Sequence, residues 1–338
     1  MSKTYNVGIV GATGAVGQEL LKVLAKRRFP VAQLRLLASA RSAGKVITWQ
    51  EQDYTVGLTD ENSFAGLQIV LFAGGAASKQ YARFAIAAGA VVIDNSSSFR
   101  YDPATPLVTP EVNPQDVRWH KGLIANPNCS TIQLVVALKP LHDAAGITSL
   151  SVATYQSVSG AGLEGIRELT EQSAAIIAAR PFKPPSCFPH QIGFNLIPQI
   201  EAFQENGYTK EEMKIVWETH KMLHDESIRI SATCVRAPVF RCHSEAVAVE
   251  FAQPLSPEEA RRLLRQAPGI TVLDEPERAM YPMPYPLSDT DEVYVGRIRR
   301  DLAKENGLLM WVVSDQLRKG AATNAVQIAE LLISYGLI

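Results

Sequence analysis

Residues 7–17 read VGIVGATGAVG, an apolar run that passes directly into a glycine-rich turn. The run predicts a strand over residues 6–10, and the pattern after it predicts a helix over residues 18–24. In such a unit Gly11 permits the tight turn, Gly14 lets the backbone approach a phosphate, and Gly17 lets the helix pack closely on the sheet. The stretch therefore predicts a dinucleotide-binding turn, in which N–H groups at the helix start hold the pyrophosphate.

The rest of the first half supports this interpretation, because short apolar runs alternate there with helical patterns. Strands are predicted over residues 34–38, 69–73 and 90–94, and a helix over residues 78–88. That succession is typical of an α/β fold with a Rossmann-type, doubly wound parallel sheet. The spacing G-x-x-G-x-x-G is looser than the usual fingerprint, so the place of the turn after the first strand carries the argument.

The residues after the second strand indicate which dinucleotide binds. NAD enzymes usually place an acid there to bind the ribose 2′-hydroxyl. Here the strand runs into Ser39-Ala40-Arg41-Ser42, which contains a cation and no acid. A 2′-phosphate would bind Arg41 and the serine hydroxyls, so we predict NADP as the cofactor. A solvated loop arginine is the alternative interpretation.

After about residue 129 the pattern changes to that of an α+β domain with a mainly antiparallel sheet. Residues 148–156, 228–236 and 245–251 alternate with period two, as half-buried antiparallel strands do. A helix is predicted over residues 163–179, and a last helix over residues 320–334 carries one apolar stripe. We expect this domain to bind the substrate and to carry a subunit interface.

Composition argues against several classes of protein. The net charge is −1 with no long run of either sign, so we expect neither a nucleic-acid partner nor a membrane partner. No apolar run reaches the roughly 20 residues that span a bilayer, and a strand that begins at about Tyr5 leaves no room for a signal peptide. The four cysteines form no C-x-x-C pair, so we expect a reduced, cytoplasmic protein. His220 and His224 lack the Glu of H-E-x-x-H, which favours a solvated helix face and no metal.

The candidate nucleophile is Cys129, which follows Asn-Pro-Asn and precedes an apolar helix over residues 132–138. A cysteine at a helix N-terminus lies at the positive end of the helix dipole, which favours the thiolate. Backbone N–H groups at that position could also hold an oxyanion. An inert, buried cysteine is the alternative.

Two further residues lie on the apolar faces of predicted strands. Arg236 continues the small, apolar face of residues 228–234, and a buried Arg needs a carboxylate from the protein or from a ligand. His243 shares the inward parity of the next strand, and a hairpin through residues 237–242 would bring it near Arg236. Gln156 ends a strand just before SVSGAG at residues 157–162, which we interpret as a tight turn. A structural Arg beside a satisfied core His remains the alternative.

With these residues in view, the chain resembles the aspartate-semialdehyde dehydrogenase family nearly from end to end. The resemblance rests on seven segments, which together are far more specific than any one of them. They are GATGAVG at 11–17, SSSFR at 96–100, NPNCST at 126–131, YQSVSGAG at 155–162, SATCVR at 231–236, HSE at 243–245 and RKGAATNA at 318–325.

The resemblance implies a reaction and the residues that perform it. NADPH would reduce L-4-aspartyl phosphate to L-aspartate 4-semialdehyde through a thioester on Cys129, in the biosynthesis of lysine (with diaminopimelate), threonine, methionine and isoleucine. His243 would be the acid–base catalyst, and Gln156 would orient the substrate. The residues that would bind the substrate are Arg236 at its α-carboxylate, Glu218 at its ammonium, and Arg100, Lys221 and Asn128 at the phosphate.

The resemblance also implies the cofactor contacts, the domains and the assembly. The cofactor-binding residues would be Gly11, Ala12, Thr13, Gly14, Ala15 and Val16 at the pyrophosphate, Ser39, Arg41 and Ser42 at the 2′-phosphate, and Gly160 and Asn324, the latter near the nicotinamide. The NADP-binding domain would span residues 1–128 and be completed by a C-terminal helix over 320–338. The catalytic and dimerisation domain would span residues 129–319. A homodimer is expected, with a tetramer as the alternative.

One departure and three alternatives stay open. Many members of the family have Asn where this chain has Gln316, and the extra methylene could shift a cofactor contact. The same scaffold could reduce N-acetylglutamyl phosphate or a malonyl thioester, although the first of those families has Gly and Tyr around its cysteine. A non-catalytic dinucleotide-binding relative is the third alternative, and the presence of Cys129 and His243 argues against it.

Overall fold

The structure is a computed structural model that describes residues 3–338 and divides into two compact units. The first unit comprises residues 3–128 and 321–338, and the second comprises residues 129–320. Within residues 3–338, no helix combines the length and the apolar character that crossing a bilayer requires.

The first unit is built on one parallel sheet with helices packed against it. Its strands are β1 (Tyr5–Val10), β2 (Val31–Ala38), β3 (Val46–Trp49), β4 (Gln52–Thr55), β5 (Gly57–Leu58), β6 (Ile69–Phe72), β7 (Val91–Asp94) and β8 (Leu123–Ala125). Its helices are α1 (Ala15–Lys26), α2 (Ala77–Ala87) and the C-terminal helix (Thr323–Ser334). Strands β3 and β4 form a separate hairpin.

The strand order in this sheet confirms the predicted Rossmann-type fold. The order is β5-β2-β1-β6-β7-β8, and every neighbouring pair is parallel. The chain moves outward from β1 in both directions, so the order reverses beside β1. In open α/β sheets, ligands bind at such a reversal, outside the carboxyl ends of the strands. The glycine turn that follows β1 lies at this point.

The C-terminal helix covers the same face of the sheet as α1. Its apolar stripe, which includes Ala325, Val326, Ala329 and Leu332, is fully buried in one core with the β1 and α1 side chains. An ion pair between Arg27 and Glu330, at 2.6 Å, joins the ends of the two helices. Residues 321–338 thus belong to the first unit, although they are the last in sequence.

The second unit is an α+β unit with one six-stranded sheet. Its helices are α3 (Cys129–Ala145), α4 (Leu163–Ile177), α5 (Lys210–Leu223) and α6 (Pro257–Gln266). Its strands are β9 (Ile147–Gln156), β10 (Arg229–Arg236), β11 (His243–Phe251), β12 (Ile270–Val272), β13 (Val293–Arg300) and β14 (Gly307–Ser314). The strand order is β10-β9-β11-β14-β13-β12, and the three central pairs are antiparallel while both edge pairs are parallel.

Two expectations about this sheet are wrong. Strands β9 and β10 are parallel, although alternation alone suggested antiparallel strands. Strands β10 and β11 do not form a hairpin, because β9 lies between them. Residues 237–242 therefore cross over the end of β9, and its last residue, Gln156, pairs with Arg236. A period of two reports which face is buried and says nothing about which strand is the neighbour.

The predicted helices are present with shifted ends. The first turn of the predicted last helix is a π-helical turn over Arg318–Ala322, and the α-helix begins at Thr323. Helix α5 ends at Leu223, and His224 takes a left-handed conformation with φ of 55°. His220 and His224 consequently do not share a helix face as predicted. The turn after Gln156 is a short 3₁₀ segment over Val158–Ala161.

Candidate active site

The candidate nucleophile begins a helix, as predicted. Cys129 is the first residue of α3 and is partly exposed. Its backbone is closely approached by Gly320, where an added Cβ would lie 3.1 Å from both the Cβ and the carbonyl oxygen of Cys129. A larger residue at position 320 would displace the helix start. Because Cys129 begins α3, its sulfur lies where the helix dipole favours an anion.

His243 is the partner of the cysteine. It begins β11, is fully buried, and holds its Nε2 3.3 Å from the Sγ of Cys129. On the other side of the ring, the backbone N–H of Ser157 donates to Nδ1 at 3.0 Å. Because a nitrogen that accepts a hydrogen bond carries no proton, the neutral ring bears its proton on Nε2. His243 therefore directs an N–H donor at the sulfur.

Electrostatics keep the His243 ring neutral. Burial, and then the nearby Arg236 guanidinium, lower the pKa of His243 to about 3. The Ser157 N–H acts in the same direction, because a backbone donor directed at Nδ1 disfavours a second ring proton there. A resting thiolate–imidazolium pair is therefore disfavoured, and the neutral ring is suited to donate a hydrogen bond from Nε2.

Gln156 is held rigidly at the end of β9. It is buried, and its Nε2 lies 3.1 Å from Oε1 of Glu211, 3.2 Å from Oγ of Ser130 and 3.4 Å from Oγ1 of Thr154. Glu211 is in turn paired with Lys214 at 2.9 Å. A side-chain amide fixed in this way presents a constant orientation to anything bound beside Cys129.

Arg236 ends β10 with its guanidinium buried. Its Nη1 donates to the carbonyl of Ser157 at 2.6 Å, and its guanidinium carbon lies 5.7 Å from the centre of the Phe188 ring. Burial lowers the pKa of Arg236, and the charge of Glu211 opposes that effect. No carboxylate of residues 3–338 forms an ion pair with Arg236. A buried guanidinium without such a partner is suited to bind a carboxylate that arrives with a ligand.

Gly160 explains how Arg236 and His243 come together without a hairpin. An added Cβ at Gly160 would lie 2.9 Å from Nη1 of Arg236 and 3.4 Å from Cε1 of His243. The two side chains therefore flank the same exposed glycine, across the end of β9. The predicted proximity of Arg236 and His243 is confirmed, although the predicted hairpin is wrong.

Glu218 and Lys221 lie on α5, one helical turn apart. The start of α5 is fixed by a capping box between Thr209 and Glu212, and the helix packs against β10 and α3. Glu218 is fully buried and Lys221 is partly buried. The spacing i,i+3 places both charges on one face of the helix.

The glycine turn of the first unit fits a bound pyrophosphate. Gly11 has φ of 84°, and an added Cβ at Gly17 would lie 2.3 Å from the carbonyl oxygen of Gly11. Gly14 caps α1 without any side-chain hydrogen bond, so the N–H groups of the first turn are open to a phosphate. Ala12 and Thr13 lie in the same turn, and α1 begins with Ala15 and Val16.

A second turn of the first unit follows β2. The N–H groups of Ser42 and Ala43 both donate to the carbonyl of Ser39, which closes the turn around Arg41. Ser39 and Arg41 are exposed, whereas Ser42 is buried. The structure thus presents one cation and one hydroxyl at the surface after β2, where NAD enzymes carry an acid.

The other predicted residues of the first unit are buried. Arg100 donates from Nη2 to the carbonyl of Asn95 at 2.8 Å, and Asn128 precedes α3 with 5% of its surface exposed. Asn324 donates to Oδ1 of Asn126 at 2.7 Å and to the carbonyl of Val108 at 2.9 Å. Both amide hydrogens of Asn324 therefore hold the C-terminal helix to the end of β8.

Sequence reasoning missed several residues that shape the site. Ser157 and Glu211 orient His243 and Gln156 through the contacts described above. Gln133 follows Cys129 by four residues, and this spacing, which puts both on one face of α3, could have pointed to it. Gln316, which stands out in the sequence, donates to Oγ of Ser159 and accepts the Cys242 N–H at 2.8 Å. Gln316 therefore holds Cys242, the residue that precedes His243.

The remaining cysteines are poor nucleophiles. Burial raises the pKa of Cys234 and raises that of Cys242 to about 12. Burial and the charge of Glu168 raise the pKa of Cys187. The thiols of residues 3–338 form no disulfide, and no group of three or more His, Cys, Asp or Glu side chains in that range could hold a metal ion.

The fold, together with the family models that match the chain, defines a class of protein, the nicotinamide-dependent semialdehyde dehydrogenases. The NAD binding domain model of semialdehyde dehydrogenases matches residues 6–120, and the dimerisation domain model matches residues 138–319. Within this class, the relatives decide the family.

Curated relatives match over almost the whole chain. The aspartate-semialdehyde dehydrogenase of Aquifex aeolicus is 57% identical and covers 99% of each chain, and that of Bacillus subtilis is 48% identical and covers 100% of each. A Vibrio cholerae aspartate semialdehyde dehydrogenase II, described as complexed with ASA, superimposes with a TM-score of 0.96 at 50% identity, covering 98% of this chain and 99% of that one. The chain belongs to the aspartate-semialdehyde dehydrogenase family.

The state of the His243 ring can be tested by NMR. Between about pH 5 and pH 9 the ring should stay neutral with its proton on Nε2, because its pKa of about 3 lies below that range. Long-range ¹H–¹⁵N correlation spectra of histidine-labelled protein measure the tautomer directly, and His243→Asn assigns the resonance. A ring that titrates near pH 6.5, or one protonated on Nδ1, would contradict the assignment.

Proposed function

We propose that this chain catalyses the NADPH-dependent reduction of L-4-aspartyl phosphate to L-aspartate 4-semialdehyde and phosphate. The observation that carries the proposal is the pair of Cys129 and His243, 3.3 Å apart, beside the buried guanidinium of Arg236, which forms no ion pair with a carboxylate of residues 3–338. A nucleophile, a proton donor and a carboxylate-binding group are what this substrate requires. The product semialdehyde belongs to the biosynthesis of lysine, threonine, methionine and isoleucine.

The first step is acyl transfer to the protein. The Cys129 thiolate attacks the acyl carbon of the substrate, the carbon–oxygen bond to phosphate breaks, and a thioester forms. Arg236 binds the α-carboxylate and Glu218 the α-ammonium, which fixes the acyl carbon relative to the sulfur. Arg100 and Lys221, with Asn128, bind the phosphate that leaves. Gln156 orients the substrate through its fixed amide.

The second step is reduction of the thioester. When bound, the reduced nicotinamide supplies the hydride that the thioester carbon accepts. His243 then stabilises the developing oxyanion and the departing thiolate by a hydrogen bond from its Nε2–H, which points at the sulfur. Division of the reaction at a thioester replaces one difficult displacement by two easier steps.

The dinucleotide is proposed to be NADP, bound by the first unit. Gly11, Thr13, Gly14 and Val16, with Ala12 and Ala15, would hold the pyrophosphate at the start of α1, and Ser39, Arg41 and Ser42 would surround the 2′-phosphate. Gly160 and Asn324 are also proposed as cofactor-binding residues. A solved structure from Candida albicans, an aspartate semialdehyde dehydrogenase with NADP, has a TM-score of 0.77 at 29% identity, covering 99% of this chain and 100% of that one, and this supports the choice.

The assembly is proposed to be a homodimer, in the cytoplasm. The match to a dimerisation domain supports the dimer, and so does the exposed face of the second sheet, where the rings of Tyr155 and Trp311 lie 5.6 Å apart. Free thiols at four positions support a reducing compartment.

The proposed reaction is tested most directly in reverse. L-aspartate semialdehyde should reduce NADP only when phosphate is present, measured by absorbance of NADPH. Cys129→Ala should abolish this turnover and still bind NADP, because the glycine turn belongs to the other unit. Phosphate-independent reduction, or appreciable turnover by the alanine variant, would refute the thioester route.

The role of Arg41 is tested by comparing the two dinucleotides. Arg41→Ala should weaken NADP binding by about 1.5 to 3 kcal/mol, the value of a charge-assisted hydrogen bond, and leave NAD binding nearly unchanged. Titration calorimetry measures both affinities. Equal weakening of the two would mean that Arg41 does not contact the 2′-phosphate. Arg35, which donates to the carbonyls of Ser63 and Ala65, offers a control cation in the same unit.

Arg236→Lys should not be a conservative change. An ammonium cannot reproduce the planar, bidentate fork of a guanidinium, so the substrate carbonyl would be misplaced relative to Cys129. We expect kcat/KM for aspartate semialdehyde to fall by about 100-fold. An aldehyde without the α-carboxylate should react poorly with the parent protein and lose little more on substitution. If both aldehydes lose activity equally, Arg236 has a structural role.

A further inference from the structure

A buried carboxyl group lies beneath the candidate active site and takes no part in the reaction described above. Glu245 follows His243 by two residues on β11, so both side chains lie on the same face of the sheet. Glu245 is fully buried, and its neighbours across the sheet are Thr154 of β9 and Val312 of β14. A carboxyl group at such a position is costly unless it is neutral or paired.

Helix α3 places an amide beside this carboxyl. Gln133 is fully buried, one turn after Cys129, and its Nε2 donates to the carbonyl of His243 at 3.4 Å. The Gln133 amide is close enough to the Glu245 carboxyl to lower its pKa, although burial raises that pKa by more. Yet Oε1 of Gln133 and both carboxyl oxygens of Glu245 are buried without a hydrogen-bond partner. All three atoms are acceptors if Glu245 is ionised, so Oε1 of Gln133 and the Glu245 carboxylate cannot pair with each other.

No cation among residues 3–338 balances a charge at Glu245. Burial raises the pKa of Glu245 well above its ordinary value of 4.5, and no charged group opposes that effect. The titratable neighbours that share its surroundings are acids: Cys234 on β10 interacts with Glu245 and also with Glu211 and Glu212 of α5. His243, on the same strand, is neutral. A proton on Glu245 removes the cost of burying a charge and also supplies a donor for Oε1 of Gln133.

We propose that Glu245 is an un-ionised carboxylic acid in the native protein and a positioning residue for His243. Its O–H donates to Oε1 of Gln133, and this bond holds Nε2 of Gln133 against the carbonyl of His243. The chain of two hydrogen bonds ties α3, which begins with Cys129, to β11, which begins with His243. It therefore helps to set the 3.3 Å separation of Sγ and Nε2. The catalytic meaning of this role rests on the proposed function, whereas the protonation state does not.

The protonation state is tested with Glu245→Gln, whose amide N–H groups replace the acid O–H. The infrared carbonyl band of an un-ionised carboxyl group should be present at pH 8 in the parent protein and lost in the variant. Unfolding transfers Glu245 to water, where it releases its proton above about pH 4.5, so the parent should lose stability as pH rises from that value. The Tm of Glu245→Gln minus that of the parent should therefore increase from pH 5 to pH 8.

Glu250→Gln is the matched control for these measurements. It removes a carboxylate from the same strand, but one that is partly exposed and pairs with Lys304 at 3.4 Å. It should leave the infrared band in place and give a Tm difference that does not increase with pH. A parent protein without the band, or a Tm difference for Glu245→Gln that is flat with pH, would overturn the proposal of a neutral acid.

The positioning role is tested with Glu245→Met, which keeps the length of the side chain and removes the donor. Alkylation of Cys129 by iodoacetamide should slow by about tenfold at pH 7, with its pH profile moved to higher pH, because a displaced His243 stabilises the thiolate less. Glu245→Gln should restore the parent rate and profile. If the Glu245→Met protein folds and its Cys129 is alkylated at the parent rate, Glu245 has no positioning role.

These measurements are separate from the proposed reaction. If the parent protein fails to oxidise aspartate semialdehyde, the proposed function fails, while the infrared, stability and alkylation results still decide the state and role of Glu245. If the parent is active, kcat should fall in parallel with alkylation in Glu245→Met and KM should change little. Should Glu245→Met not fold, Gln133→Met removes the other end of the same chain and is expected to slow alkylation equally.

Discussion

The hydrogen bond from the Ser157 backbone N–H to Nδ1 of His243 is the constraint on which the chemistry of the second unit depends. A backbone donor cannot reverse its direction, so Nδ1 remains an acceptor and the ring proton remains on Nε2. The ring is neutral in the same geometry, because burial and Arg236 both oppose a positive charge. The Ser157 peptide group thus decides that Nε2 of His243 faces the sulfur and that this nitrogen donates a hydrogen bond.

The order of strands places that peptide group. Because β9 lies between β10 and β11, residues from all three strand ends meet: Gln156 and Ser157 from β9, Arg236 from β10, and His243 from β11. The guanidinium of Arg236 also binds the Ser157 carbonyl, so the Ser157 residue holds both functional side chains at once. A simple hairpin of β10 and β11 would have left no peptide between them to do this.

The sequence predicted local features of the chain, but it did not predict which strands become neighbours or which distant side chains meet. The glycine turn after the first strand, within an alternation of apolar runs and helical patterns, predicted the Rossmann-type sheet, and the position of Cys129 predicted a helix start, because both depend on neighbours in the chain. Burial of Arg236 and His243 followed from parity. The insertion of β9, the fixing of Gln156 by Glu211, and the contact of Gln133 with His243 depend on residues distant in sequence. Nothing in a single chain's periodicity specifies which of several buried strands become neighbours.

The burial of the other thiols has a consequence for covalent ligands. Burial and nearby carboxylates keep Cys234 and Cys242 as thiols, and burial together with the negative charge of Glu168 does the same for Cys187. Among the cysteines of residues 3–338, the one at the start of α3 combines partial exposure with a place at the positive end of a helix dipole. An electrophilic compound therefore does not need to distinguish among four cysteines. Its selectivity can be designed entirely around the groups that flank Gly160, where a carboxylate on the compound would meet Arg236.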